Sequence, residues 1–162
     1  MSDETGGTNM KKEDMKKMLF AYNSILKEMD EVYRNAVKAL GLGDCAFWIL
    51  YTLREGGEMT QRKICDTVYM PKQTVNSALK KLEDGGFLEL RTGKDRRSKQ
   101  VRLTEKGVSL AERTADRVML AECEALSELS EAELEAFIGL SGKYRMILKE
   151  KVGEINTKGE GI

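Results

Sequence analysis

The stretch Met70 to Leu90, MPKQTVNSALKKLEDGGFLEL, decides the fold. It reads as a short amphipathic helix running straight into a strand. Pro71 suits the first position of a helix, where a backbone N–H is not needed. Val75, Leu79 and Leu82 recur at helical spacing and make one apolar stripe. Gln73, Thr74, Asn76, Ser77, Lys80 and Lys81 face away from it. The Asp84-Gly85-Gly86 run stops the helix, because glycine supplies a left-handed cap. The outer face is polar and basic, with short hydrogen-bonding side chains near its N-terminus. That is the chemistry a helix needs to meet base edges in a DNA major groove. An ordinary surface helix carries the same stripe, so the flanks must separate the two readings.

Upstream, Glu58-Met59-Thr60 reads as a short extended piece, and Thr60 is placed to cap a helix over 61–68. Ile64, Cys65 and Val68 form the buried side of that helix. About three residues separate it from the Pro71 helix, and two short helices with so brief a turn make a helix-turn-helix. Downstream, Phe87, Leu88 and Leu90 start one strand, and Val101 and Leu103 line another. Gly93-Lys94-Asp95 has turn chemistry, so the pair is a hairpin. Lys94, Arg96, Arg97 and Lys99 crowd its tip. A solvated charged turn is the bland reading. Directly after a candidate reading helix, such a tip can instead reach a phosphate backbone or an adjacent minor groove.

Further out, residues 10–40 carry apolar side chains in steps of three and four and predict one long helix. Its stripe exceeds what a small core can cover, so part of it is expected to meet another subunit. Gly41-Leu42-Gly43 breaks it. Asp44 to Arg54 then forms a largely buried helix with Ala46, Phe47, Ile49, Leu50 and Leu53 inside, and Trp48 and Tyr51 as large aromatics. Thr104-Glu105-Lys106-Gly107 caps a helix expected to run unbroken to about Leu126. Ser130-Glu131-Ala132-Glu133 is a capping box that opens a last helix with Leu134, Phe137, Ile138, Tyr144, Leu148 and Val152. The fold class is therefore mainly α with a small two- to three-stranded antiparallel sheet.

The 162 residues suffice for one domain with a core, or one domain plus a dimerisation extension. Net charge is zero, but Arg54 to Lys106 holds 13 Lys/Arg against 8 Asp/Glu, a balance of +5, while the remainder holds 14 against 19, a balance of −5. A basic centre between acidic ends suits a local nucleic-acid surface. The absence of histidine removes the commonest general base and metal ligand together. Cys45, Cys65 and Cys123 form no C-x-x-C pair, so no zinc site is expected, and they fit a reducing cytoplasm as buried small hydrophobes. There is no phosphate loop, G-x-G-x-x-G or nucleophile elbow. No apolar run approaches the ~18 residues of a membrane span. Met1 to Asn9 is polar, unlike a signal peptide, and is expected to be disordered. A non-enzymatic, cytoplasmic protein without cofactor, metal or membrane contact is expected.

The element order, taken with DGGFLELRTGKDRRSKQVRLTEKG, resembles the MarR family of bacterial transcriptional regulators over roughly Met10 to Val152. Thr74-Val75, Leu82-Glu83, Gly86-Phe87-Leu88, Asp95-Arg96-Arg97 and Leu103-Thr104-Glu105-Lys106-Gly107 carry the resemblance. It implies a winged helix-turn-helix, a homodimer joined through terminal helices, and a roughly palindromic double-stranded DNA operator. Domain bounds follow: a disordered 1–9, a dimerisation helix over 10–40, the DNA-binding lobe over 41–106, a long helix and C-terminal dimerisation helix over 107–155, and a frayed tail over 156–162. Lys72, Gln73, Thr74, Asn76 and Ser77 match DNA-facing positions of the reading helix, with Lys80 on the same face. Asp95 and Arg97 match the wing acid and the minor-groove arginine, flanked by Lys94, Arg96 and Lys99. Ser77 stands where many members carry a basic residue, and Pro71 where a small capping residue is usual. Members often release DNA on binding a small aromatic effector in a crevice beside the long helices, and Phe47, Trp48 and Tyr51 lie on a helix able to line it. The rival readings are a winged helix used only for protein contacts, and a methyltransferase dimerisation domain, which would need a cofactor-binding domain that 162 residues leave no room for.

Overall fold

A computed structural model of the chain describes residues 10–92 and 99–158. The elements are α1 (Lys12–Ala39), α2 (Asp44–Gly56), β1 (Met59–Thr60), α3 (Gln61–Val68), α4 (Lys72–Asp84), β2 (Leu88–Thr92), β3 (Lys99–Leu103), α5 (Glu105–Glu112), α6 (Ala115–Ser127) and α7 (Glu131–Lys158). The sheet has three strands in the order β1-β3-β2, all antiparallel, with Leu90 and Met59 both opposite Val101. No single helix among the described residues is long and apolar enough to cross a membrane. Internal contacts divide the chain into two units, one ending at Asp116 and the other beginning at Arg117.

In the first unit the core gathers Ile49 and Leu53 of α2, Ile64 of α3, Val75, Leu79 and Leu82 of α4, Leu88 of β2 and Val101 of β3. The predicted apolar stripe of α4 is thus its buried face. Pro71 lies one residue outside that helix: its ψ of 132° is extended, and it serves as N-cap. Thr60 caps α3 as expected, its hydroxyl accepting the Lys63 N–H at 3.1 Å. On α1 only Val37 is buried, and the Tyr33 ring meets Trp48 at 5.5 Å.

The base of the β2–β3 hairpin is tied closely to its neighbours. The left-handed residue that ends α4 is Gly86 (φ 73°), not Gly85. The Phe87 N–H donates to Leu82 O and the Gly86 N–H to Glu83 O, both at 2.8 Å, which is the bond pattern of a glycine-capped helix end. The Phe87 carbonyl then accepts the Thr104 N–H at 3.1 Å. Thr104 Oγ1 donates to Gly86 O at 2.7 Å and accepts the Gly107 N–H at 3.1 Å. Lys106 Nζ donates to Gly85 O at 2.7 Å and sits 4.4 Å from the centre of the Phe87 ring. The two motifs DGGF and LTEKG, far apart in sequence, are one interlocked piece.

The helix expected to run from the Thr104-Glu105-Lys106-Gly107 cap to about Leu126 is broken at Arg113 and Thr114. Thr114 Oγ1 donates to Leu110 O at 2.7 Å, while the Thr114 N–H turns to Ala111 O, three residues back. A threonine hydroxyl that takes the carbonyl four residues back competes with the helix ladder and bends it. Thr114 and Ala115 are buried, and Arg54 grips Asp116 with two bonds of 2.8 and 2.5 Å.

The second unit contains α7, opened by the expected capping box. Ser130 N–H and Oγ both donate to Glu133 Oε2, at 2.9 and 2.7 Å. These bonds hold the Glu133 carboxyl below its ordinary pKa. Of the expected apolar positions on α7, Leu134 is half-buried, while Phe137, Ile138, Tyr144, Leu148 and Val152 are exposed.

Two glycines at the hairpin base should respond differently. A Cβ on Gly107 would lie 2.0 Å from the Phe87 carbonyl oxygen, so backbone must move. Gly107→Ala is expected to cost about 3 kcal/mol or prevent folding, as overpacking does. Gly86 has open space around it and only its left-handed φ to satisfy. Gly86→Ala should cost about 1 kcal/mol. Chemical denaturation of both variants checks the order; equal losses would mean that the close approach at Gly107 is relaxed without cost.

Candidate nucleic-acid interface

α4 has one side pinned in the core and the other free. Lys72, Gln73, Thr74, Asn76, Ser77 and Lys80 are all exposed, as the stripe predicts. Gln73, Thr74 and Ser77 border an open groove of about 680 Å³ whose opposite wall is the first turn of α2, from Asp44 to Ala46. Lys72, Lys80 and Lys99 make no ion pair among the described residues. On the hairpin, by contrast, Glu89 draws in both Arg102 and Arg91, and the bond from Arg102 is the main reason its carboxyl titrates below the ordinary range. The exposed lysines are therefore available to an anion, while the hairpin's Arg91 and Arg102 share the single Glu89 carboxylate, which offsets one of their two charges.

Two of the short polar side chains are not idle. Asn76 Oδ1 accepts the Gln61 side-chain amide at 2.8 Å, joining the first turn of α3 to the middle of α4. Ser77 Oγ donates to Gln73 O at 2.9 Å. Asn76 thus has its carbonyl engaged and its amide donors without a partner among the described residues, and Ser77 keeps only acceptor capacity. Gln73 and Thr74 keep unused hydrogen-bonding groups among the described residues. Gln61 was missed in the sequence because a bond across the helix-turn-helix leaves no pattern in either helix alone. Lys94, Asp95, Arg96 and Arg97, the expected hairpin tip, lie outside the described residues. Lys99 is the exposed first residue of β3.

A second cavity, of about 160 Å³, lies between α1, α2 and the turn before α4. Asp30, Tyr33, Arg34 and Val37 of α1, Asp44 and Trp48 of α2 and Met70 of the turn line it. Of the three aromatics proposed for such a crevice, Trp48 lines it. Tyr51 packs on Trp48 at 5.4 Å, and Phe47 is wholly buried against both. Met70 was missed because a single methionine in a turn carries no periodic signal.

The cysteines divide. Cys45 and Cys65 are half-buried beside the core; burial, aided by Cys65, pushes the Cys45 thiol above its ordinary pKa, and the Cys65 thiol lies 3.9 Å from Asn76 Oδ1. Cys123 is exposed on α6, against the sequence expectation of burial. No group of three or more His, Cys, Asp or Glu residues comes together among the described residues.

Residues 40–98 match the family model described as "MarR family". The HTH-type transcriptional regulator YwoH of Bacillus subtilis is 32% identical over 114 residues, covering 70% of this chain and 81% of that protein. Among solved structures, NMB1585, a MarR family regulator from Neisseria meningitidis, superimposes with a TM-score of 0.74 at 22% identity, over 85% of this chain and 97% of that one. The PcaV transcriptional regulator from Streptomyces coelicolor, in complex with its natural ligand, superimposes with a TM-score of 0.56 at 18% identity, over 75% of this chain and 89% of that one.

The Gln61–Asn76 bond should be measurable by itself. Both side chains are partly or fully open to water, so Gln61→Ala and Asn76→Ala should each cost under about 1 kcal/mol of stability. A double-mutant cycle on thermal unfolding should return a coupling of about 0.5 kcal/mol. Strict additivity would mean that the bond is not maintained in solution.

Proposed function

The chain belongs to the MarR family of transcriptional regulators, and from that premise we propose that it binds a pseudo-palindromic operator as a homodimer and is released by a small aromatic effector. The observation that carries the DNA reading is the division of α4. Val75, Leu79 and Leu82 fix its inner face in the core, while Gln73 and Thr74 stand exposed beside the unpaired Lys72 and Lys80. A rigid helix with amides and hydroxyls flanked by cations suits base edges bordered by phosphates. In this reading Lys72, Gln73, Thr74, Asn76, Ser77 and Lys80 meet the major groove. The hairpin residues Lys94, Asp95, Arg96, Arg97 and Lys99 meet the backbone and minor groove, with Arg97 inserted.

The dimer reading rests on apolar exposure. α1 leaves Phe20 and Val32 each 67% exposed, and α7 leaves Leu140 and Met146 each 66% exposed, within longer rows of apolar neighbours. Rows of this kind mark interfaces in water-dissolved proteins. The effector reading rests on the cavity beside Trp48. At about 160 Å³ it is close to the ~150 Å³ hole that a single benzene fills, so one aromatic ring is the fitting size. That the PcaV regulator shares the fold and holds a natural ligand makes a ligand-bearing site consistent with this architecture.

The decisive experiment is binding to the DNA upstream of the gene, and to single-base variants of the bound site, across a salt series. Arg97→Ala should weaken binding broadly and flatten the salt dependence by about one counterion. Gln73→Ala should relax preference at particular base pairs, worth ~1–3 kcal/mol, with the slope nearly unchanged. Footprints should show half-sites about 10 bp apart. Loss of affinity without loss of preference from Gln73→Ala would remove α4 as the reader.

The effector has its own test. Trp48 is the single tryptophan. Titration with a monocyclic aromatic compound should change its fluorescence over the concentration range that releases DNA. A fluorescence change with DNA affinity untouched would make the cavity a non-regulatory site.

A further inference from the structure

Between Gly41 and Asp116, one large apolar side chain among the described residues stands exposed, Tyr69, at 92%. It ends α3 and begins the turn into α4. It is also the one described non-glycine residue with positive φ, at 53° with ψ 29°. Glycine and asparagine take that conformation readily and a tyrosine does not. A bulky residue held there points to a use for its side chain. The ring is not exposed through slackness of the turn. Val68 and Met70, on either side of it, both pack against the core. The backbone is therefore fixed on each side, and the left-handed residue between them sends its side chain into water.

We infer that Tyr69 is a DNA-backbone contact, its ring lying on a deoxyribose and its hydroxyl bonded to a phosphate at the edge of the groove that α4 enters. The inference rests on the DNA reading of α4 proposed above. Position favours this occupant: Tyr69 lies two residues before the Pro71 N-cap, and the exposed Lys72 follows. Asp66, the nearest acid along the chain, is paired with Arg62 at 3.9 Å. A phenol offers a flat apolar face and a neutral donor together, which suits a sugar and its phosphate. A lone ring without apolar neighbours makes no protein-docking patch.

The test uses the full chain with Tyr69→Phe and Tyr69→Asn, a duplex from upstream of the gene, an unrelated duplex of equal length, a salt series and thermal unfolding. Tyr69→Phe should bind both duplexes about tenfold more weakly, the loss of one hydrogen bond to an ionised phosphate oxygen, with unfolding unchanged. Its salt slope should match the native one, because no cation is removed. Tyr69→Asn should unfold at higher temperature, since asparagine suits the left-handed turn, and yet bind more weakly than Tyr69→Phe. Stability and affinity moving in opposite directions is a signature that a structural role would not give. Native affinity in Tyr69→Phe overturns the hydroxyl–phosphate bond, and native affinity in both variants overturns the contact. Failure of the native protein to bind either duplex overturns the DNA reading of α4, and this inference with it.

Discussion

The wing and the reading helix hang on the peptide units around Phe87. The Phe87 N–H closes the end of α4, and its carbonyl receives the chain returning from β3 at Thr104. Gly107 must pass within van der Waals contact of that same carbonyl, a distance that no side chain can occupy. Because these contacts share backbone atoms, the exit of α4, the base of the hairpin and the entry to α5 cannot shift independently. Lys106 adds a charge-assisted bond to Gly85 O and covers the Phe87 ring. The result holds an exposed polar helix face and a hairpin in one mutual geometry, as a surface must be if it is to match two features of a duplex at once.

Much of this was legible because it obeys local rules. The stripe of Val75, Leu79 and Leu82, the Thr60 cap, the Gly85-Gly86 stop and the Ser130–Glu133 capping box each write their physics within four or five residues. What escaped the sequence depends on competition or on distance. The break at Thr114 turns on a hydroxyl choosing a backbone carbonyl in a buried setting, where an unbroken apolar period reads as one helix. Asn76 looked like a free amide, but its carbonyl belongs to Gln61, fifteen positions earlier. Phe47 and Trp48 are adjacent in sequence and similar in type. Which one faces the cavity depends on where α1 crosses α2, which no local spacing encodes.

The turn between α3 and α4 joins the two proposed activities physically. Met70 forms part of the wall of the small cavity, and Pro71 caps the reading helix. A ligand that displaced Met70 would act on the backbone that sets the first turn of α4, without needing to reach the DNA-facing side. Such coupling requires an element with two arrangements of different affinity for each ligand.

The Gln61–Asn76 bond has a consequence for how such a surface can diversify. A substitution at Asn76 alone changes the outward-facing group and also frees Gln61 from its partner, so one mutation alters two groups on the same face. Under the proposed DNA reading, variation there should proceed in pairs, with the first change degrading recognition of the old site before a second establishes a new one. Gln73 and Thr74, which have no such partner among the described residues, can vary singly. The exposed face of α4 therefore contains positions of unequal mutational freedom; if it reads DNA as proposed, a drift in target preference would begin at Gln73 and Thr74 and reach Asn76 last.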